Sequence, residues 1–103
     1  MSIDTVQAIY VDLDRTVTLS TTELVERSGL TEVEVRTLVE CGAFTPADPQ
    51  SPAWTFSYEC LGVARVASRL RDQYAIEDTH ALALVVRLTQ RIEELEQALR
   101  RWR

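Results

Sequence analysis

Asp12 and Asp14 are the side chains of this 103-residue chain whose types and spacing come closest to chemistry. They follow the apolar pair Tyr10-Val11 and precede Thr16-Val17, which places one carboxylate at the end of a short strand and a second two residues later. In that arrangement the first can act as a nucleophile and the second as a general acid, provided a divalent cation neutralises the phosphoryl group under attack. Later segments offer no matching partners for such a step: helix-forming sequence begins just after Leu19, and all 11 basic residues are arginine. Asp12 and Asp14 therefore read as solvated carboxylates in a turn. The other reactive side chains are as isolated. His80, the single histidine, has no evident nucleophile, and three glycines build no phosphate-cradling loop. Cys41 and Cys60 lack the close spacing of a metal or redox pair and are expected to be buried thiols. The expectation is a protein with no catalytic site, no metal and no cofactor.

The string around Asp12 and Asp14 resembles the first motif of haloacid-dehalogenase-type phosphatases. That resemblance implies a repeating strand-helix fold, a basic residue (usually lysine) from a later element and a downstream acidic pair at a strand end; it stops at the first motif. Charge is more informative. The formal net charge is -5, and it is unevenly spread: ten acids face three arginines (Arg15, Arg27, Arg36) through Glu59, whereas six acids face eight arginines beyond it. An acidic front end is joined to a mildly basic back end. No apolar run approaches the length of a membrane span, and the N-terminus lacks the basic flank and apolar stretch of a secretory signal, so a cytoplasmic protein with no membrane role is expected. At 46% hydrophobic residues the chain can fill one core, with a helix left to protrude.

The elements that must position these charges follow from local signals. Ala8-Ile9-Tyr10-Val11 and Val17-Thr18-Leu19 predict short strands. Ser20-Thr21-Thr22-Glu23 is a capping box, in which a hydroxyl and a carboxylate satisfy free backbone donors, and it predicts a helix over 21–27 ending at Gly29. Thr31-Glu32-Val33-Glu34 is a second box, followed by Val35, Leu38 and Val39 at helical spacing and by Gly42 as terminator. Two short capped helices around a tight turn are a helix-turn-helix. Residues 43–46 and 53–56, on either side of a proline-containing turn, predict a β-hairpin wing packed through Phe44, Trp54 and Phe56. Ser57 is expected to cap a third helix reaching Tyr74, with Val63, Val66, Ala67, Leu70 and Tyr74 as its buried stripe. Asp78 is expected to cap a last helix in which Val85, Leu88, Ile92, Leu95, Leu99 and Trp102 alternate at spacings of three and four, the a and d positions of a heptad. The fold class is therefore mainly α, with a winged helix-turn-helix head over 1–76 and a C-terminal dimerisation helix over 77–103.

A winged helix-turn-helix on a dimerising tail is a common layout for DNA-binding regulators, which need cations for phosphates and a base-reading outer face on the second helix. Here that face would show Glu32, Arg36, Thr37 and Glu40, behind Glu23 and Glu26 on the first helix. DNA is an unlikely partner for so many carboxylates.

Taken in order, Gly29-Leu30-Thr31-Glu32, Val35, Leu38-Val39, Gly42, Pro46, Trp54-x-Phe56, Arg65-x3-Arg69-Leu70-Arg71 and the long terminal helix resemble the CbpM chaperone-modulator family, dimeric relatives of the MerR-type winged helices. The similarity covers residues 18–101. It implies a protein that binds the J-domain of a DnaJ/CbpA-type co-chaperone and inhibits its stimulation of Hsp70, with a MerR-like DNA-binding transcriptional regulator as the alternative. The acidic head suits that implication, because J-domains offer a basic second helix to Hsp70. The candidate partner-binding residues are Glu23, Glu26, Glu32, Glu34, Arg36 and Glu40, and the candidate dimerisation residues are Leu88, Ile92, Leu95, Leu99 and Trp102. Two features depart from the family pattern: a longer N-terminal segment through Arg15, and Ser57-Tyr58 where an acidic residue is expected. MerR-type metal sensing uses a cysteine at the start of the dimerisation helix, where this chain has Ile76-Glu77-Asp78.

Overall fold

The computed structural model of the protein describes residues 18–102. The expected strand over 8–11 and the Asp12 and Asp14 string lie outside the described residues. The described chain begins with a two-residue strand, β1 (Leu19–Ser20), which runs directly into α1 (Thr21–Ser28). The capping box forms as expected: Ser20 Oγ accepts from Glu23 N at 3.1 Å, and Glu23 Oε1 accepts from Ser20 N at 3.0 Å. Gly29 stops the helix in the left-handed region at φ 87. A side chain there is opposed twice, since a Cβ would also lie 2.8 Å from Ser68 Oγ.

The second box opens α2 (Glu32–Glu40), with Thr31 Oγ1 accepting from Glu34 N at 3.1 Å and Glu34 Oε1 accepting from Thr31 N at 2.8 Å. Gly42, at φ 79, ends it in a Schellman motif: Ala43 N donates to Leu38 O at 2.8 Å and Gly42 N to Val39 O at 3.0 Å. Two further elements follow the loop: β2 (Thr55–Phe56) and α3 (Tyr58–Gln73). Asp78 then caps α4 (Thr79–Arg101), its Oδ1 accepting from His80 N at 2.9 Å and Ala81 N at 3.4 Å. At about 1.5 Å per residue α4 is roughly 35 Å long. The architecture is the mainly α, winged helix-turn-helix arrangement with a long C-terminal helix that the patterning predicts.

Four details differ from expectation. First, residues 43–46 do not pair with 53–56; β2 pairs antiparallel with β1, Leu19 opposite Phe56, and the intervening loop closes on one bond from Ala47 N to Thr55 O at 2.8 Å. Proline explains this, because Pro46, Pro49 and Pro52 donate no N–H to a ladder, whereas Leu19–Ser20 offers a complete edge. Second, Ser57 occupies the N-cap of α3 without capping it; its hydroxyl turns to Cys60 Sγ at 3.6 Å, and Cys60 Sγ in turn reaches Thr45 O at 3.7 Å. Third, the buried line of α3 is Cys60, Leu61, Ala64, Ala67 and Ser68, with Val63, Val66 and Leu70 half-buried at its edge and Tyr74 exposed. Small Ala64 and Ala67 let α3 wedge between α1 and α4, which rotates the valines to the flank. Fourth, Cys60 is buried but Cys41, at the end of α2, is only half-buried.

One core gathers Leu19, Leu24, Leu30, Val35, Leu38 and Phe56 with Ala64 and Ala67 of α3. Leu82, Ala83 and Val86 from the first part of α4 belong to the same cluster. Phe44 and Trp54 both meet the Phe56 ring edge-on, with centroids 5.7 Å and 6.3 Å away, so the aromatic trio packs the wing as expected. Gly62 stands apart from these constraints. It sits within α3 at an ordinary helical φ, and a Cβ built on it would meet nothing within 4 Å. Glycine at such a position costs about 0.5–1 kcal/mol relative to alanine, with no compensating contact inside the described chain.

Candidate partner-binding face

The six candidate residues of the head divide into two groups. On α2, Glu32, Arg36 and Glu40 recur every four residues and lie along one exposed face, with the guanidinium of Arg36 3.4 Å from Glu32 Oε1. Both partners are largely in water, at 70% and 59% side-chain exposure, so the pair contributes only a few tenths of a kcal/mol. Glu23 and Glu26 share the exposed face of α1. Glu23 also serves the capping box, and the backbone N–H of Ser20, followed by the Ser20 hydroxyl and the charge of Arg27, holds its carboxyl below the ordinary value. Among the described residues, Glu26 and Glu40 form no ion pair. Glu40 sits at the last residue of α2, where a negative charge opposes the helix dipole, so local stability gives no reason for a carboxylate there.

Glu34 belongs to the other group. Half a turn round α2 from Glu32, its side chain is only 13% exposed and its Oε1 lies 2.6 Å from Arg71 Nη1 of α3. Arg71 also donates to Gly29 O at 3.2 Å, Ser68 Oγ at 3.3 Å and Asp72 Oδ1 at 3.0 Å. Asp72 chiefly, then Glu34, raises the guanidinium's pKa further against the effect of burial. Glu34 is thus a tie between helices rather than part of the outer face, and hydrophobic patterning alone gives no sign of it.

The wing completes the face. Glu32 and Arg36 line a shallow cleft of about 190 Å³ together with Thr21, Val35, Pro52 and Trp54. Trp54 is fixed by its Nε1 donating to Pro49 O at 3.3 Å, so a half-buried indole stands beside the acidic face. Sequence reasoning assigned Trp54 to packing alone; the loop that folds it back onto α2 depends on contacts distant in the chain. At the far end of α2, Arg87 donates to Cys41 O at 3.4 Å and Gln90 to Ala43 O at 2.9 Å, anchoring α4 beneath the face.

Past Val86, the heptad line of α4 is uncovered. Leu88, Ile92, Leu95, Leu99 and Trp102 are between 49% and 88% exposed, in one line along the helix. His80 is exposed in the first turn of α4, 3.8 Å from Asp78, and among the described residues no three metal-ligating side chains gather. No described helix is long and apolar enough to cross a membrane.

Comparison with known proteins fits this geometry. A family model described as MerR HTH family regulatory protein matches residues 19–103. Chaperone modulatory protein CbpM of Escherichia coli O1:K1 is 32% identical over 82 residues, 80% of each chain. The chain belongs to the CbpM family. The CbpM protein of Citrobacter koseri is 29% identical over the same share of both chains. This chain thus combines a MerR-type match with its likeness to CbpM, and both family names describe regulators rather than enzymes.

The division between outer face and internal tie is measurable by urea unfolding. Glu34→Ala and Arg71→Ala each lower stability by about 2–3 kcal/mol, since each strands a largely buried charge. Glu32→Ala changes it by about 0.5 kcal/mol or less.

Proposed function

We propose that this protein is a chaperone modulator that binds the J-domain of a DnaJ/CbpA-type co-chaperone and limits its stimulation of Hsp70. One observation supports the reading beyond family membership: the outer face of the helix-turn-helix carries Glu23, Glu26, Glu32 and Glu40 against two arginines, Arg36, which is paired with Glu32, and Arg27, which lies one turn from Glu23 and donates to Tyr58 Oη. A duplex would meet carboxylates where it needs cations. The basic second helix of a J-domain meets complementary charge, which speeds encounter and makes affinity fall with salt. Occupying that helix denies it to Hsp70. Trp54, standing beside Glu32 and Arg36 in the cleft, supplies an amphipathic anchor of the type enriched at protein interfaces.

The exposed line on α4 supports the second half of the reading, a homodimer through the C-terminal helix. Leaving five large apolar side chains in water forgoes about 25 cal/mol for each Å² that burial would cover. Heptad spacing allows a second α4 to cover them in register. Two acidic heads would then be presented by one particle.

Two measurements check these halves separately. Titrated with a purified J-domain in low salt, the unaltered protein binds, and Glu26→Arg with Glu32→Arg weakens binding at least tenfold without lowering the melting temperature by more than a few degrees. A failure to bind the J-domain, together with salt-sensitive affinity for a palindromic duplex, would instead favour the MerR-like DNA-binding regulator. By light scattering, Leu95→Asp halves the particle mass; an unaltered protein that is already a monomer at tens of micromolar contradicts the dimer.

A further inference from the structure

A groove of about 420 Å³ runs between α3 and α4, on a side of the molecule distinct from the acidic cleft. Its floor is Val63, Val66 and Val86, and its carboxylates are Glu59 and Glu93; among the described residues no cation lines it. The two polar side chains in its wall are satisfied elsewhere. Thr89 Oγ1 donates back to Val85 O at 2.9 Å, and Gln90 donates to Ala43 O at 2.9 Å. What remains towards solvent is apolar at the base and negative at the rim.

Gly62 lies in this same groove. Among the described residues, no backbone conformation and no neighbouring atom requires a glycine there, since a Cβ would meet nothing within 4 Å. Missing side-chain bulk on a helix admits close approach by another backbone. A glycine that weakens α3 without serving the packing of the described residues leaves this stretch of α3 open to close approach by another helix.

The second copy is a poor occupant. At 100° per residue, the lining positions of α4 (Val86, Thr89, Gln90, Glu93) are centred roughly 140° round the helix from the exposed line of Leu88, Ile92, Leu95 and Leu99. Pairing of two tails along that line leaves the groove open. A trough between two helices accepts a third by ridges into grooves, and an acid-rimmed apolar trough selects a helix with aliphatic anchors flanked by arginine or lysine.

We infer that the α3–α4 groove is a docking site for a basic amphipathic helix of the partner, a second point of attachment separate from the acidic face of α1 and α2. This rests on the chaperone-modulator reading and names the surface that supplies its apolar contacts. Gly62→Arg places bulk and positive charge in the groove, whereas Gly62→Ala fills little of it.

The test uses the full-length protein and a purified J-domain of the CbpA/DnaJ type. Gly62→Arg lowers affinity at least tenfold, Gly62→Ala by no more than about threefold, and both keep the melting temperature and particle mass of the unaltered protein. A photo-crosslinker placed at position 63 joins to a helix of the J-domain. Binding by the unaltered protein that Gly62→Arg leaves unchanged overturns the groove assignment alone. Absence of binding by the unaltered protein overturns both this inference and the function it rests on. Crosslinking of position 63 to a second copy or to residues 1–17 assigns the groove to those occupants instead and overturns the inference.

Discussion

The guanidinium of Arg71 donates to the carboxylate of Glu34, the carbonyl of Gly29 and the hydroxyl of Ser68, so one side chain of α3 binds the turn of the helix-turn-helix and the first turn of its second helix together. The angle between α1 and α2 depends on this contact. Gly29 can follow the path only because it lacks a Cβ, which would otherwise press on Ser68. Arg65 reinforces the same seam by donating to Arg27 O at 3.3 Å, satisfying the carbonyl end of α1. Two of the three arginines of α3, Arg65 and Arg71, are thus used on backbone and on Glu34, and the outward carboxylates of α1 and α2 are left with few neutralising partners. The acidity of the face follows from the way the seam is built.

That distribution connects stability to function. Carboxylates in the first turns of α1 and α2 favour the helix dipoles and close the capping boxes, so Glu23, Glu32 and Glu34 stabilise the head whether or not a partner is present. Glu26 and Glu40 have no such role. On the proposed function, a face of this sign disfavours a polyanion and favours a basic helix, which would turn a MerR-type scaffold from nucleic acid to protein without altering its core. Apolar contacts must then come from elsewhere. Trp54 supplies one beside Glu32, and the trough at Gly62 supplies a larger one between α3 and α4.

Much of this was legible in residue order. Both capping boxes, the glycine stops, the Asp78 cap and the heptad line are local signals, and each formed where its residues stand. The misjudged features depend on distant contacts. Pairing of β2 with β1 rather than with residues 43–46 was hidden because proline content marks a turn without naming the strand's partner. The stripe of α3 was placed too close to its valines, since hydrophobicity outweighed the small residues, Ala64 and Ala67, that set the approach of neighbouring helices. Glu34 looked equivalent to Glu32 in sequence, yet the half-turn between them sends one to Arg71 and the other to solvent. Nothing in the spacing of Arg65, Arg69 and Arg71 distinguishes the joint that Arg71 forms.

If this protein silences a J-domain by covering the surface Hsp70 needs, Hsp70 ATPase turnover reads that effect most directly. With Hsp70 and a CbpA/DnaJ-type co-chaperone held constant, adding the protein is predicted to remove the co-chaperone-stimulated part of the turnover. Basal Hsp70 activity should stay unchanged, and excess J-domain should restore the stimulation. Stimulated turnover that persists undiminished when the J-domain is saturated with this protein would contradict the account.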